Sequence, residues 1–199
     1  VEADVITRMA WVHTTGMCLV ESPVREAILR GMELAQAATI PVSFDLNLRL
    51  GLEDGRLPAE FQQALRHAIS LSDYVFGSAS DEIPYLAPAA SPEESARQLA
   101  GDQRTVIARL GAAGVVAVSA NQVISMPAYA VNVIDTVGAG DAFNAGFIAA
   151  QLAGPGLTTA LRWGNAVAAL KIGRPGARGV PYRAEVEMLL STAPELLLQ

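Results

Sequence analysis

The chain has 199 residues and a mass of 20.8 kDa, 51% hydrophobic and 17% charged, enough apolar content for a packed core and too much for wholesale disorder. Twenty acidic against 14 basic residues give a net charge of −6 with no Lys/Arg cluster, which argues against nucleic acid or an anionic membrane as partner. No apolar run reaches bilayer-spanning length, Cys18 stands alone without a disulfide partner, and His13 and His67 are too few for most histidine-based metal sites.

In chain order, residues 9–14 predict a short buried strand ending at Thr15-Gly16. Ser22-Pro23 then opens a helix, with Ser22 as N-cap and Pro23 in the first helical position, carrying Ile28, Leu29, Met32 and Ala35 on one face. A second strand covers 41–45, a helix runs over 59–71 through Phe61, Leu65 and Ile69, and a third strand over 73–76 is stopped by Gly77-Ser78. Ala87–Ala90 is a surface loop, and Ser91-Pro92-Glu93-Glu94 is a capping box opening a helix to about Ala100. Strands at 105–108 and 115–118 flank Gly111-Ala112-Ala113-Gly114, and 122–126 and 129–134 predict two more. Helices follow over 140–152, 158–172 and 183–191. Strand–helix alternation of this kind implies one α/β domain with a mainly parallel sheet covered by helices.

The chemistry concentrates in Val133 to Phe147. A strand ends near Ile134, a turn of small residues follows, and a helix starts at about Gly140. Small side chains let an anion approach the backbone, where the first helical N–H groups point outward unpaired at the positive end of the helix dipole. Asp141 sits in that first turn, where its carboxylate could take a proton from a nearby hydroxyl. A dinucleotide fingerprint fails, because its third glycine falls on Phe143; a P-loop fails, because the one lysine, Lys171, is not in a Gly-Lys-Ser/Thr string. Phosphate bound here is therefore neutralised by backbone amides and a metal ion.

The string Asp135-Thr136-Val137-Gly138-Ala139-Gly140-Asp141-Ala142-Phe143 closely resembles the C-terminal signature of the PfkB, or ribokinase-like, carbohydrate kinases. Phe44-Asp45-Leu46-Asn47-Leu48-Arg49 resembles the family's Asp-x-Asn-x-Arg motif, Leu110–Gly114 its Gly-x-x-Gly turn beside the nucleotide, and Lys171–Ala177 with Pro181 its adenine-side closing loop. The resemblance implies a three-layer sandwich and transfer of an ATP γ-phosphoryl group to a primary hydroxyl, with Mg²⁺ bridging phosphates. It assigns Asp141 as base and the Gly138, Ala139, Gly140 and Asp141 backbone as anion hole. Asp135 and the Val137 carbonyl resemble the ligands of a monovalent cation, K⁺ being the expected ion. Asp45, Asn47 and Arg49 are placed toward the sugar or its carboxylate; Gly111, Gly114, Asn165, Gly176 and Ala177 toward the nucleotide. Expected partners are ATP and a sugar or sugar acid, as in the 2-keto-3-deoxygluconate kinase and fructokinase branch, with a homodimer and a cytoplasmic location.

Two departures stand beside the resemblance. Where the family carries Asn-x-x-Glu, this chain has Ala79 and Glu82, so Glu82 alone is left for a water-mediated Mg²⁺ contact. The family's N-terminal region, with a Gly-Gly sugar motif and a small β lid, has no counterpart after Val1, so residues 1–199 are expected to be a C-terminal, nucleotide-binding portion. That leaves a second function open, a nucleotide-binding or regulatory half without turnover. Outside the motifs, His13 is a sheet-end residue near the substrate edge, His67 a surface residue and Cys18 a packed one. Glu93 and Glu94 serve the helix cap, and Trp163 and Leu170 belong to the core.

Overall fold

The computed structural model describes residues 1–48, 57–154 and 156–192. Six strands follow one another across a sheet in chain order: β1 (Val12–Thr15), β2 (Val42–Asp45), β3 (Tyr74–Ser78), β4 (Thr105–Arg109), β5 (Val115–Val118) and β6 (Val123–Met126). Helices α1 (Ala3–Ile6), α2 (Val24–Ala37), α3 (Ala59–Ser70), α4 (Glu82–Leu86), α5 (Pro92–Ala100), α6 (Ala139–Leu152), α7 (Leu157–Ile172) and α8 (Arg183–Thr192) cover it. The expected α/β architecture is found, and the sheet is mixed. The first pairs, β1 with β2 and β2 with β3, are parallel, and each pair is joined through the helical crossover that parallel neighbours need. By contrast β4 and β5 are neighbours joined only by Leu110–Gly114, and β5 and β6 only by residues 119–122, connections too short for anything but hairpins. Among the described residues no helix is long and apolar enough to cross a membrane.

The chain divides into two compact units, the first made of Val1–Ala108 with Ala117–Gln122. Its core follows from β2, whose four residues are all buried, so Val42 and Phe44 face one layer and Ser43 and Asp45 the other. Ser43 is wholly buried and its hydroxyl is shared: Trp11 Nε1 donates to it at 2.8 Å and His13 Nδ1 lies 2.8 Å away. His13, in register with Ser43, is exposed at the sheet surface, its ring edge against Phe76. Helix α5 begins as the capping box predicts, the Ser91 hydroxyl accepting from the Glu94 N–H, although the Glu94 carboxylate reaches the Ala90 N–H in place of that of Ser91. His67 is exposed and Cys18 half-buried.

Several boundaries differ from expectation. Helix α2 has Pro23 at its N-cap with no side-chain cap; the Ser22 hydroxyl instead donates to Glu26 one turn on. Strand β3 continues through Gly77 and Ser78, because the absent side chain of Gly77 is what admits Leu46 and Ile83: a Cβ there would lie 2.8 Å from Leu46. Residues 82–86, unassigned from sequence, form the short helix α4.

The second unit comprises Arg109–Val116 and Val123–Gln199. Helices α6 and α7 cross at glycines: a Cβ on Gly146 would meet the Trp163 carbonyl at 2.9 Å, and one on Gly164 the Phe143 ring at 2.8 Å. Residues 129–134 are not a strand. Tyr129 and Val131 pack against Ala166 and Ala169 of α7 and Val186 of α8, which accounts for the alternating apolar pattern without a sheet neighbour. The ladder that a strand would need is replaced by the Ile172 carbonyl, which accepts from the N–H groups of Ile134 at 2.8 Å and Asp135 at 3.1 Å. Trp163 is half-buried on this cluster, with the Arg183 guanidinium 5.7 Å above its ring.

Candidate functional site

In the second unit, most of the predicted site gathers around the start of α6. Gly138 is its N-cap and lies in the left-handed region, φ 80°, where glycine alone is unstrained; a Cβ there would also approach the Ala177 carbonyl to 3.2 Å. The Ala139 N–H bonds back to the Thr136 carbonyl and the Ala142 N–H to that of Gly138. Between them, the N–H groups of Gly140 and Asp141 have no acceptor among the described residues. Two adjacent donors at a helix N-terminus form a cradle for a tetrahedral anion. The Asp141 side chain stands exposed in that first turn.

Arg109, which the motif reading passes over, completes this arrangement. It ends β4, its Nη1 donates to Asn144 Oδ1 at 2.9 Å, and its guanidinium would lie 3.3 Å from a Cβ on Gly140. A cation laid against the positive end of a helix is unfavourable on its own and favourable once an anion sits between them. Beside it, the Gly111–Gly114 turn divides into two roles. Gly114 (φ 99°) is buried, and a Cβ would fall 2.0 Å from the Met126 carbonyl; Gly111 (φ 60°) is exposed with nothing within 4 Å of that position. The first is required by packing, the second lines open space.

The closing loop is tied to the same place through Asp135. Its carboxylate accepts from the Val137 N–H at 2.9 Å and the Gly176 N–H at 2.8 Å, joining the turn before α6 to the loop after α7. Those two bonds, with a smaller contribution from the charge of Lys171, hold the Asp135 carboxyl below its ordinary value. Arg174 pairs with Glu185, whose carboxyl is likewise lowered, by the Tyr182 N–H first and Arg174 second, fixing the loop to α8. Asn165 is buried on α7, its Nδ2 donating to the Pro127 carbonyl at 3.1 Å.

The first unit carries the other predicted residues. Asp45, 3% exposed, ends β2 in register with Thr15 and Phe76, and Asn47 takes a left-handed φ of 40° two residues on. Arg49 lies outside the described residues. Glu82 is buried, and both its oxygens accept backbone amides, Leu48 at 2.6 Å and Ser78 at 2.7 Å. It thereby clamps the segment after β2 to the end of β3. Among the described residues no three His, Cys, Asp or Glu side chains gather as metal ligands.

Comparison with known proteins agrees with these motifs. The model of the pfkB family carbohydrate kinases matches residues 2–183. The chain is 28% identical over 201 residues to a 5-dehydro-2-deoxygluconokinase of Bacillus licheniformis, covering 96% of this chain and 59% of that protein. A fructokinase of Xylella fastidiosa with bound ATP superposes with a TM-score of 0.84 at 28% identity, over 98% of this chain and 65% of the other. A double mutant of the Vibrio cholerae fructokinase, crystallised with fructose, ADP and potassium, gives a TM-score of 0.82 at 28% identity, covering 96% and 64%. The chain thus spans less than two thirds of the length of these relatives. With the family model covering the helix-start turn, the Gly-x-x-Gly turn and the Asp-x-Asn segment alike, the chain belongs to the pfkB family of carbohydrate kinases.

Proposed function

We propose that the chain serves ATP-dependent phosphorylation of a primary hydroxyl on a sugar or sugar acid of the 2-keto-3-deoxygluconate or fructose type. The observation that carries this reading is the pair of unengaged N–H donors at Gly140 and Asp141 beside an exposed carboxylate. In this reading the substrate hydroxyl oxygen attacks the γ-phosphorus, the bond from that phosphorus to the ADP oxygen breaks, and the hydroxyl proton passes to the Asp141 carboxylate. The Gly140 and Asp141 amides, with Arg109, hold the phosphoryl oxygens while charge shifts across them. Gly111 and the Gly176-Ala177 loop line the nucleotide, Asn165 supports that side from α7, and Asp45, Asn47 and Arg49 recognise the sugar. Bound with the nucleotide, Mg²⁺ supplies neutralising charge.

Asp141→Asn tests the assignment. Turnover with a responsive sugar is expected to fall by about 10²–10⁴-fold, while ATP affinity measured by calorimetry changes little. Near-normal turnover in the variant would remove Asp141 from the role of base. ATP binding without phosphorylation of any sugar or sugar acid in a broad panel would instead support the non-catalytic, nucleotide-binding reading.

A further inference from the structure

Gly140 and Asn144 stand four residues apart on α6, so they share one face of the helix, a turn apart. The Arg109 guanidinium lies along that face. Its Nη1 donates to Asn144 Oδ1 at 2.9 Å, and a Cβ on Gly140 would stand 3.3 Å from both Cζ and Nη1 and 3.6 Å from Nη2. A side chain at Gly140 would thus press on the guanidinium, while the acceptor at Asn144 draws it in. Asn144 is itself immobilised: it is 1% exposed, with the buried Phe143 and Phe147 on the same helix.

An arginine side chain has much rotamer freedom to lose, so a guanidinium kept ready for an anion needs a partner that is already fixed. Asn144 is such a partner. The kind of acceptor matters as well. A carboxylate in its place would grip the guanidinium more strongly, but it would add a negative charge beside the Gly140 and Asp141 amides and oppose an anion there. A side-chain amide oxygen orients the guanidinium and adds no charge.

We propose that Asn144 is a positioning residue for phosphoryl transfer: its side-chain oxygen holds the Arg109 guanidinium against Gly140, beside the anion cradle. Buried on α6, Asn144 acts on the phosphoryl group through Arg109. The phosphoryl target rests on the kinase reading; the restraint on Arg109 does not.

Calorimetry with ATP and ADP, each with Mg²⁺, tests the role on this chain, because the terminal phosphoryl is the group that ATP has and ADP lacks. Asn144→Leu removes the acceptor at similar volume and is expected to weaken ATP about fivefold, with ADP held within about twofold. Asn144→Asp keeps an acceptor but adds a charge, and should weaken ATP further while sparing ADP. A merely structural residue would move both nucleotides together. In an Arg109→Met background, Asn144→Leu should change ATP affinity by less than about twofold, since the group it positions is gone. A folded Asn144→Leu that binds ATP normally overturns the proposal, as does an equal loss of both nucleotides or a full further loss in the Arg109→Met background. Should neither Asn144 variant fold, arginine NMR of the wild type decides, with the Arg109 signal identified by its absence from Arg109→Met. Slow rotation about the Nε–Cζ bond of Arg109 upholds the restraint, and free rotation overturns it. A wild type that binds neither nucleotide sinks the kinase reading and takes the phosphoryl role with it. A wild type that binds both, with variants that miss the ATP-selective pattern, sinks the positioning role alone.

Discussion

In the function proposed above, the two units would hold a polar ligand with different materials. In the second unit the work falls to the backbone: a left-handed Gly138, two unengaged amides and a glycine turn whose one buried member has no room for a Cβ. In the first it falls to side chains at strand ends, Asp45 and Asn47, braced by a buried Glu82 that spans two segments. A phosphate asks only for N–H donors and space, which any helix start with small residues supplies. A sugar asks for particular donors and acceptors, which side chains supply. The buried glycine turn of the second unit should therefore fail on added atoms, and the buried polar side chains of the first on lost functional groups.

The sharpest break comes from adding one methyl group. Gly114→Ala places a carbon 2.0 Å from the Met126 carbonyl at a φ of 99°, and is expected to cost about 3 kcal/mol or more in urea unfolding. Gly111→Ala, three residues away at φ 60° with open space around it, should cost about 1 kcal/mol. Equal costs at the two glycines would undo the division between a packing glycine and a lining one.

Next is the brace of the first unit. Glu82→Gln keeps the shape but turns one acceptor into a donor facing a backbone N–H, Leu48 or Ser78. A loss of about 2 kcal/mol on denaturation is expected, because the unmatched groups are buried. No loss would mean that the clamp contributes shape alone.

The smallest effect is a pH dependence in the second unit. Since the Val137 and Gly176 amides hold the Asp135 carboxyl below its usual value, the folded state binds its proton less readily than the unfolded chain does. The associated stability is present above the ordinary carboxylate range and is lost as pH falls through that range to the lowered value. Asp135→Asn should flatten this part of the acid limb in thermal unfolding; an unchanged limb would place the acid sensitivity elsewhere, Glu185 being the other lowered carboxyl beside the closing loop.

Much of this molecule was legible beforehand, and for local reasons. Capping at Ser91, helical spacing in α2 and α3, and the small-residue turn before α6 are encoded within a few residues of where they act. What escaped depends on distant contacts. Residues 129–134 alternate like a strand, but their apolar positions meet α7 and α8, and no neighbour in sequence says so. Gly77 reads as a stop, yet it is small because Leu46 and Ile83 occupy its side. Arg109 carries no motif of its own; it becomes informative only when the fold brings it to Gly140.

One contact has a dynamic corollary. The Asp135 carboxylate holds amides at Val137 and Gly176, positions far apart in the chain, on its two oxygens. Proton exchange at either amide requires release from the same anchor, so the two should exchange with solvent as a correlated pair in a hydrogen-exchange experiment. Nucleotide bound against Gly140 and Asp141 would slow both together, which makes this pair of amides a built-in reporter on the state of the turn.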